Sequence, residues 1–76
     1  MHTIFLRTAL FTLPKDGHVP IGTLIIEGEI VDRPAGGLVV IAKTFKDERG
    51  RDLAGSQVEL QLPWSKIDHI WVTANP

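Results

Sequence analysis

The sequence predicts an all-β protein, a small five-stranded, strongly bent barrel with a one-turn helical corner near residues 63–67. Three observations carry this. Apolar residues recur with a period of two along most of the 76 residues, the mark of half-buried strands. Glycine, proline and charged turns divide the alternating runs. No stretch shows a capped apolar repeat of 3.6 residues, so little helix is expected.

The alternation is strictest in VELQLPW, residues 58–64. Val58, Leu60, Leu62 and Trp64 point one way, Glu59 and Gln61 the other, and Trp64 is expected to continue the inward face. TLIIEGEIV (23–31) places Leu24, Ile26 and Ile30 opposite Glu27 and Glu29, and its β-branched residues favour a strand. GLVVIAKTF (37–45) opens as a continuous apolar run and then alternates, as a strand covered on both faces does. TIFLRTALFTL (3–13) and IDHIWV (67–72) complete the set. A short helix over 2–13 is the rival for the first strand. Its Thr3, Ile4, Phe5, Thr8, Phe11 and Thr12 are weak helix formers, so the strand is preferred.

The turns lie at LPKDGHVP (13–20), DRPAGG (32–37) and KDERGRD (46–52). Gly28 falls in mid-strand, where glycine marks a bend or a close approach of backbones. Five strands in one 76-residue domain, residues 1–76, curl into a barrel rather than a two-layer sandwich. Pro63 interrupts QLPWSKIDHIW (61–71) between two strand-like flanks. A proline is tolerated where a ladder ends and a turn begins. Ser65, Lys66, Ile67 and Asp68 therefore form a single helical turn, with Ile67 as its apolar plug, before Ile70 and Val72 resume a strand.

Composition limits what such a domain can do. A chain this short buries only about 60% of the surface its unfolded form exposes. Small domains usually add disulfides, metal or oligomerisation. Cysteine is absent, and His2, His18 and His69 stand 16 and 51 residues apart, far from zinc-ligand spacing. No cofactor or metal is expected, which leaves oligomerisation. Eight basic and nine acidic residues give a net charge of −1, so no overall basic field attracts nucleic acid or anionic lipid. The N-terminus lacks a basic region before its apolar run, and no run nears the roughly 18 residues of a membrane span. A cytoplasmic protein is the expectation.

The chemistry-bearing residues read mostly as structure. Ser65, Asp68 and His69 lie within five positions, yet no sharp Gly-x-Ser-x-Gly elbow accompanies them, so a turn and a strand are preferred to a triad. No enzyme is expected. Glu27 and Glu29 read as a solvated strand face rather than a carboxylate dyad. Lys43, Lys46, Arg49 and Arg51 with Phe45 resemble a single-strand platform, but Asp47, Glu48 and Asp52 nearly cancel their charge. Ile25, Val31, Val39, Ile41 and Trp71 fall opposite the core positions. Exposed apolar surface of that extent marks an interface. Ile25, Val39, Ile41 and Trp71 are thus candidates for a homo-oligomer contact.

The run IEGEIVDRPAGGLVVIAK resembles the bent second strand, loop and apolar third strand of Sm-like (LSm and Hfq) proteins. VELQLPWSKIDHIWV resembles their fourth strand, one-turn corner and fifth strand, so the likeness covers about Thr23 to Val72. It implies an SH3-like barrel, rings formed by pairing the fourth strand with the fifth of the next subunit, and single-stranded RNA bound near the pore. Asp32, Arg33, Trp64 and Lys66 are the RNA-binding candidates on this likeness. The two loops depart from the family's Asp-x-x-x-Asn and Arg-Gly-Asx motifs. KDGHVPIGTL, VDRPAGGLVV and LQLPWSKIDHI are in turn similar to PRC-barrel domains, with an Asp-Gly turn, an Ile-Gly pair and a Pro-Trp-x-x-Ile end. That likeness implies an assembly module with protein partners and no nucleic acid.

Overall fold

Alternation along each strand makes one sheet face apolar, and the curl of that sheet closes the face on itself. The computed structural model describes residues 1–10 and 19–72. Its strands are β1 (His2–Leu6), β2 (Ile25–Asp32), β3 (Gly37–Lys46), β4 (Asp52–Leu53), β5 (Val58–Pro63) and β6 (Ile67–Val72). A single 3-10 turn, Trp64–Lys66, joins β5 to β6. Five principal strands form a strongly curled half-barrel, the all-β fold that the alternation predicts.

All pairings are antiparallel. The order runs β4-β3-β2-β1-β6, and β5 pairs β3 along Gly37–Ala42. The core comprises Ile4, Leu6, Val19, Ile26, Leu38, Val40, Ala42, Phe45, Leu62 and Ile67, with Leu24, Ile30, Val58, Leu60 and Ile70 packed partly against it. The expected inward faces of β2 and β5 are therefore those observed. Thr23 is the one buried polar residue among those described. Its hydroxyl donates to the Pro20 carbonyl at 2.7 Å, which satisfies a group that would otherwise be costly to bury.

Three register shifts bend the sheet. Glu27 faces Thr44 while Gly28 faces Ala42, which leaves Lys43 as an extra residue. Ile30 faces Val40 and Asp32 faces Val39, so Val31 is extra on β2. Phe5 faces His69 and Leu6 faces Ile67, which makes Asp68 the bulged residue of β6. Bulges increase local twist and bend the strand that carries them. At the first shift the backbones come too close for a side chain: a Cβ on Gly28 would lie 2.0 Å from the Ile41 carbonyl oxygen. The bend expected at this glycine is present, and its cause is the neighbouring strand.

The expected boundaries differ most from the structure in two places. The first strand is expected over 3–13, but β1 ends at Leu6: the next rung, from the Arg7 backbone N–H to the Lys66 carbonyl at 2.8 Å, already falls on the 3-10 turn and not on a strand. The part of that strand beyond Leu10, most of the turn at 13–20, and His18 lie outside the described residues. The charged stretch 46–52 contributes a short additional strand, since Asp52 and Leu53 pair with Lys46 and Phe45.

The corner forms directly after Pro63, as expected, but its turn is Trp64–Lys66 and not residues 65–68, and Ile67 and Asp68 already belong to β6. Pro63 is extended (φ −70°, ψ 151°), still facing Gly37, and the Ile67 N–H closes the turn on the Trp64 carbonyl. Ile67 is buried at 6% exposure and plugs the turn. Trp64 does not continue the inward face of β5: it is 46% exposed. Alternation holds only while the chain is extended. Once the 3-10 turn begins at Trp64, the indole swings over the β2–β3 turn.

Candidate binding surfaces

One end of the half-barrel gathers three of the four RNA-binding candidates. Asp32 closes β2 and Arg33 opens the following turn, both exposed. The Asp32 carboxylate accepts the backbone N–H of the next residue, Arg33, at 2.8 Å, one residue short of the two-residue reach of an aspartate turn. Trp64 joins them from the opposite hairpin. Its indole Nε1 donates to the Ala35 carbonyl at 3.0 Å, and its backbone N–H donates to the Gly36 carbonyl at 3.0 Å. Indole N–H groups seek such a partner when half-covered, so the ring is fixed with part of its surface facing solvent. Beside it lies an open groove of about 320 Å³ lined by Pro34, Gly36, Gly37, Leu38, Gln61 and neighbouring residues.

Lys66, the fourth candidate, turns elsewhere. Its ammonium donates to the Thr8 hydroxyl at 2.6 Å and the Ala9 carbonyl at 3.3 Å. These bonds pin the segment after β1 to the corner. They also occupy two of the donors that a phosphate would need.

The four interface candidates share the outer face without forming one patch. Ile25 stands between Phe5 and Lys46, Ile41 between Glu29 and Glu59, and Val39 between Asp32 and Gln61. Val39 and Ile41 are consecutive outward positions of β3, and charged and amide neighbours on the adjoining strands flank this half-buried pair. Trp71, 61% exposed, lies next to Thr3 on the β1–β6 ladder. It shares the company of Ile25: the ring of Phe5, which pairs with Ile25, is 4.9 Å away and tilted by 53°. His69 stacks on Phe5 at 4.2 Å and 9°. Sequence reasoning missed Phe5 and His69 as a pair. Period two in HTIFL does place Phe5 outward, but the bulge that brings His69 opposite it leaves no local signal.

Of the suspected triad, Asp68 and His69 do meet, with 2.7 Å between Oδ2 and Nδ1. Ser65 makes no hydrogen bond to His69 among the described residues. Glu27 pairs with Lys46 at 3.5 Å, a solvated contact of small energetic weight. The hairpin tip is organised by its own charges. The Asp47 carboxylate accepts backbone N–H bonds from Arg49 (2.9 Å) and Arg51 (3.0 Å) and pairs with the Arg51 guanidinium at 3.0 Å. The Arg51 backbone bond above all, aided by Arg49 and the guanidinium, holds the Asp47 carboxyl below its ordinary range. Among the described residues no three His, Asp or Glu side chains converge on a metal position, and no helix is long and apolar enough to cross a membrane.

Comparison with protein-family models, with curated proteins and with solved structures finds no match to this chain.

Proposed function

We propose that this protein is a non-enzymatic assembly and interaction module that works as a homo-oligomer, with each half-barrel completed by its neighbours. One observation carries the reading. β5 and β6, six residues each, bound the sheet and have one strand partner apiece among the described residues. Unpaired strand edges are templates for a further strand. Here they also carry inner-face residues left partly uncovered: Val58 and Leu60 on β5, Ile70 on β6, and Val72 at 73% exposure. Pairing β5 of one copy with β6 of the next would extend both the ladder and the core. Sedimentation equilibrium at micromolar concentration tests this. An oligomer is expected, and Val72→Asp should weaken it without unfolding the subunit. A well-folded 8.4 kDa monomer would overturn the reading.

Single-stranded RNA binding is the second reading, favoured by the half-exposed Trp64 ring beside Asp32 and Arg33. Aromatic platforms next to cations bind bases in a sequence-tolerant way. Lys66, tied to Thr8 and Ala9, and the net charge of −1 argue against a strong site. Fluorescence anisotropy with U-rich and A-rich oligomers at low salt separates the two readings. If RNA binds, Arg33→Ala should reduce the salt slope by about one, as loss of one phosphate contact does. Absence of binding at low salt leaves the assembly module alone.

A further inference from the structure

Where β1 ends and β2 begins, the outer face carries a cavity used by neither the free edges nor the Trp64 end. Its volume is about 230 Å³, and Phe5, Leu24, Ile25, Glu48, Asp68 and His69 line it. Pockets for drug-sized ligands hold about 300–1,000 Å³, so this one suits a single side chain. Flat rings and two carboxylates share the wall. Phe5 and His69 are stacked nearly parallel, with Trp71 tilted against Phe5. Asp68, the bulged residue of β6, holds the His69 ring through Oδ2 and keeps its other oxygen outside that contact. Glu48 arrives from the β3–β4 tip.

Three nearby cations are engaged elsewhere. Lys46 pairs with Glu27, Arg51 pairs with Asp47, and the Arg7 Nε donates to the Ile67 carbonyl at 3.2 Å. Among the described residues neither Glu48 nor Asp68 forms an ion pair with Lys or Arg. An anion would meet two carboxylates. A neutral apolar group would cover charges without pairing them, which is unfavourable. A cation with a flat face satisfies both halves of the wall. Guanidinium does so better than ammonium, because its planar fork pairs with carboxylates while its face stacks on an aromatic ring.

We propose that this cavity binds an arginine side chain of a partner protein. The proposal rests on the interaction-module reading and names the chemistry of its partner. The partner residue stands in an exposed segment, with its guanidinium between Asp68 and Glu48 and its plane along the Phe5 and His69 rings.

The test is an NMR titration of the folded protein with the capped tripeptide acetyl-Gly-Arg-Gly-amide. Its lysine and citrulline counterparts serve as comparisons. Saturable shifts are expected at the Phe5, Glu48, Asp68 and His69 amides. Lysine should bind more weakly, and citrulline, uncharged but of similar shape, about tenfold more weakly or worse, since a charge-assisted hydrogen bond is worth at least that factor. Asp68→Asn and Glu48→Gln should each produce a comparable loss, while Asp52→Asn should not. Shifts that fail to saturate by about 10 mM, beyond the millimolar range of a weak side-chain site, would overturn the proposal. Equal binding of citrulline, or of the Asp68 and Glu48 variants, would do the same. Sedimentation on the same samples separates the two ideas: an oligomer that ignores arginine refutes only the pocket, and a monomer that binds it refutes only the assembly.

Discussion

Gly28 and Trp64 show how differently single residues can be constrained in one small sheet. A Cβ at position 28 would meet the Ile41 carbonyl oxygen at 2.0 Å and the Ala42 Cα at 3.1 Å. Both are backbone atoms and cannot rotate away. Gly28→Ala should therefore cost about 3 kcal/mol or more, at the upper end of overpacking effects, measured by urea denaturation. Trp64→Ala removes a half-exposed ring and one indole hydrogen bond, so a loss of about 1–2 kcal/mol is expected. Ile67→Ala, by contrast, empties a buried plug and should cost about 2–5 kcal/mol. Thermal melts of the two variants should thus rank Ile67 above Trp64. The reverse order would mean that the indole carries the corner.

At the scale of elements, the β3–β4 tip is stabilised by one carboxylate. Asp47 gathers three hydrogen bonds, and its carboxyl is held below the ordinary value, first by the Arg51 backbone N–H. The sign follows from linkage: a depressed acid contributes order above its unfolded value of about 3.9 and loses it as pH falls through the folded one. Backbone amide signals of Arg49 and Arg51 should therefore remain unchanged down to about pH 4 and shift below it. Asp47→Asn should abolish that acid transition. The next turn residue, Gly50, sits at φ +78°, so Gly50→Ala should loosen the same tip by about 1–2 kcal/mol.

For the whole molecule, the half-barrel leaves two six-residue edges and a partly covered inner face among the described residues. If neighbours complete it, folding and association are coupled, and stability rises with protein concentration. The melting temperature should then increase between about 5 and 500 µM, a hundredfold step equivalent to about 2.7 kcal/mol for a single saturable partner. Concentration-independent melting would show that the subunit is stable alone.

Strand positions, inward faces and the corner were legible in the sequence because each depends on residues close along the chain. Alternation in 58–62 buries Leu62, the β2 pattern buries Ile26, and Pro63 ends a ladder wherever it lies. The orientation of Trp64 was not legible, since the period of two stops where the 3-10 turn starts, and the indole answers to a carbonyl 29 residues away. Lys66 likewise answers to Thr8, 58 positions distant. The aromatic cavity depends on the shift between Phe5 and Leu6 that sets His69 against Phe5. Sequence alone thus determined an all-β chain, its strand faces and its proline corner, through local periodicity. Tertiary structure decided which edges lack a strand partner among the described residues, which interface candidates are neighbours, and which rings meet carboxylates. Register between distant strands is settled by backbone pairing and close packing, and no short window of sequence contains it.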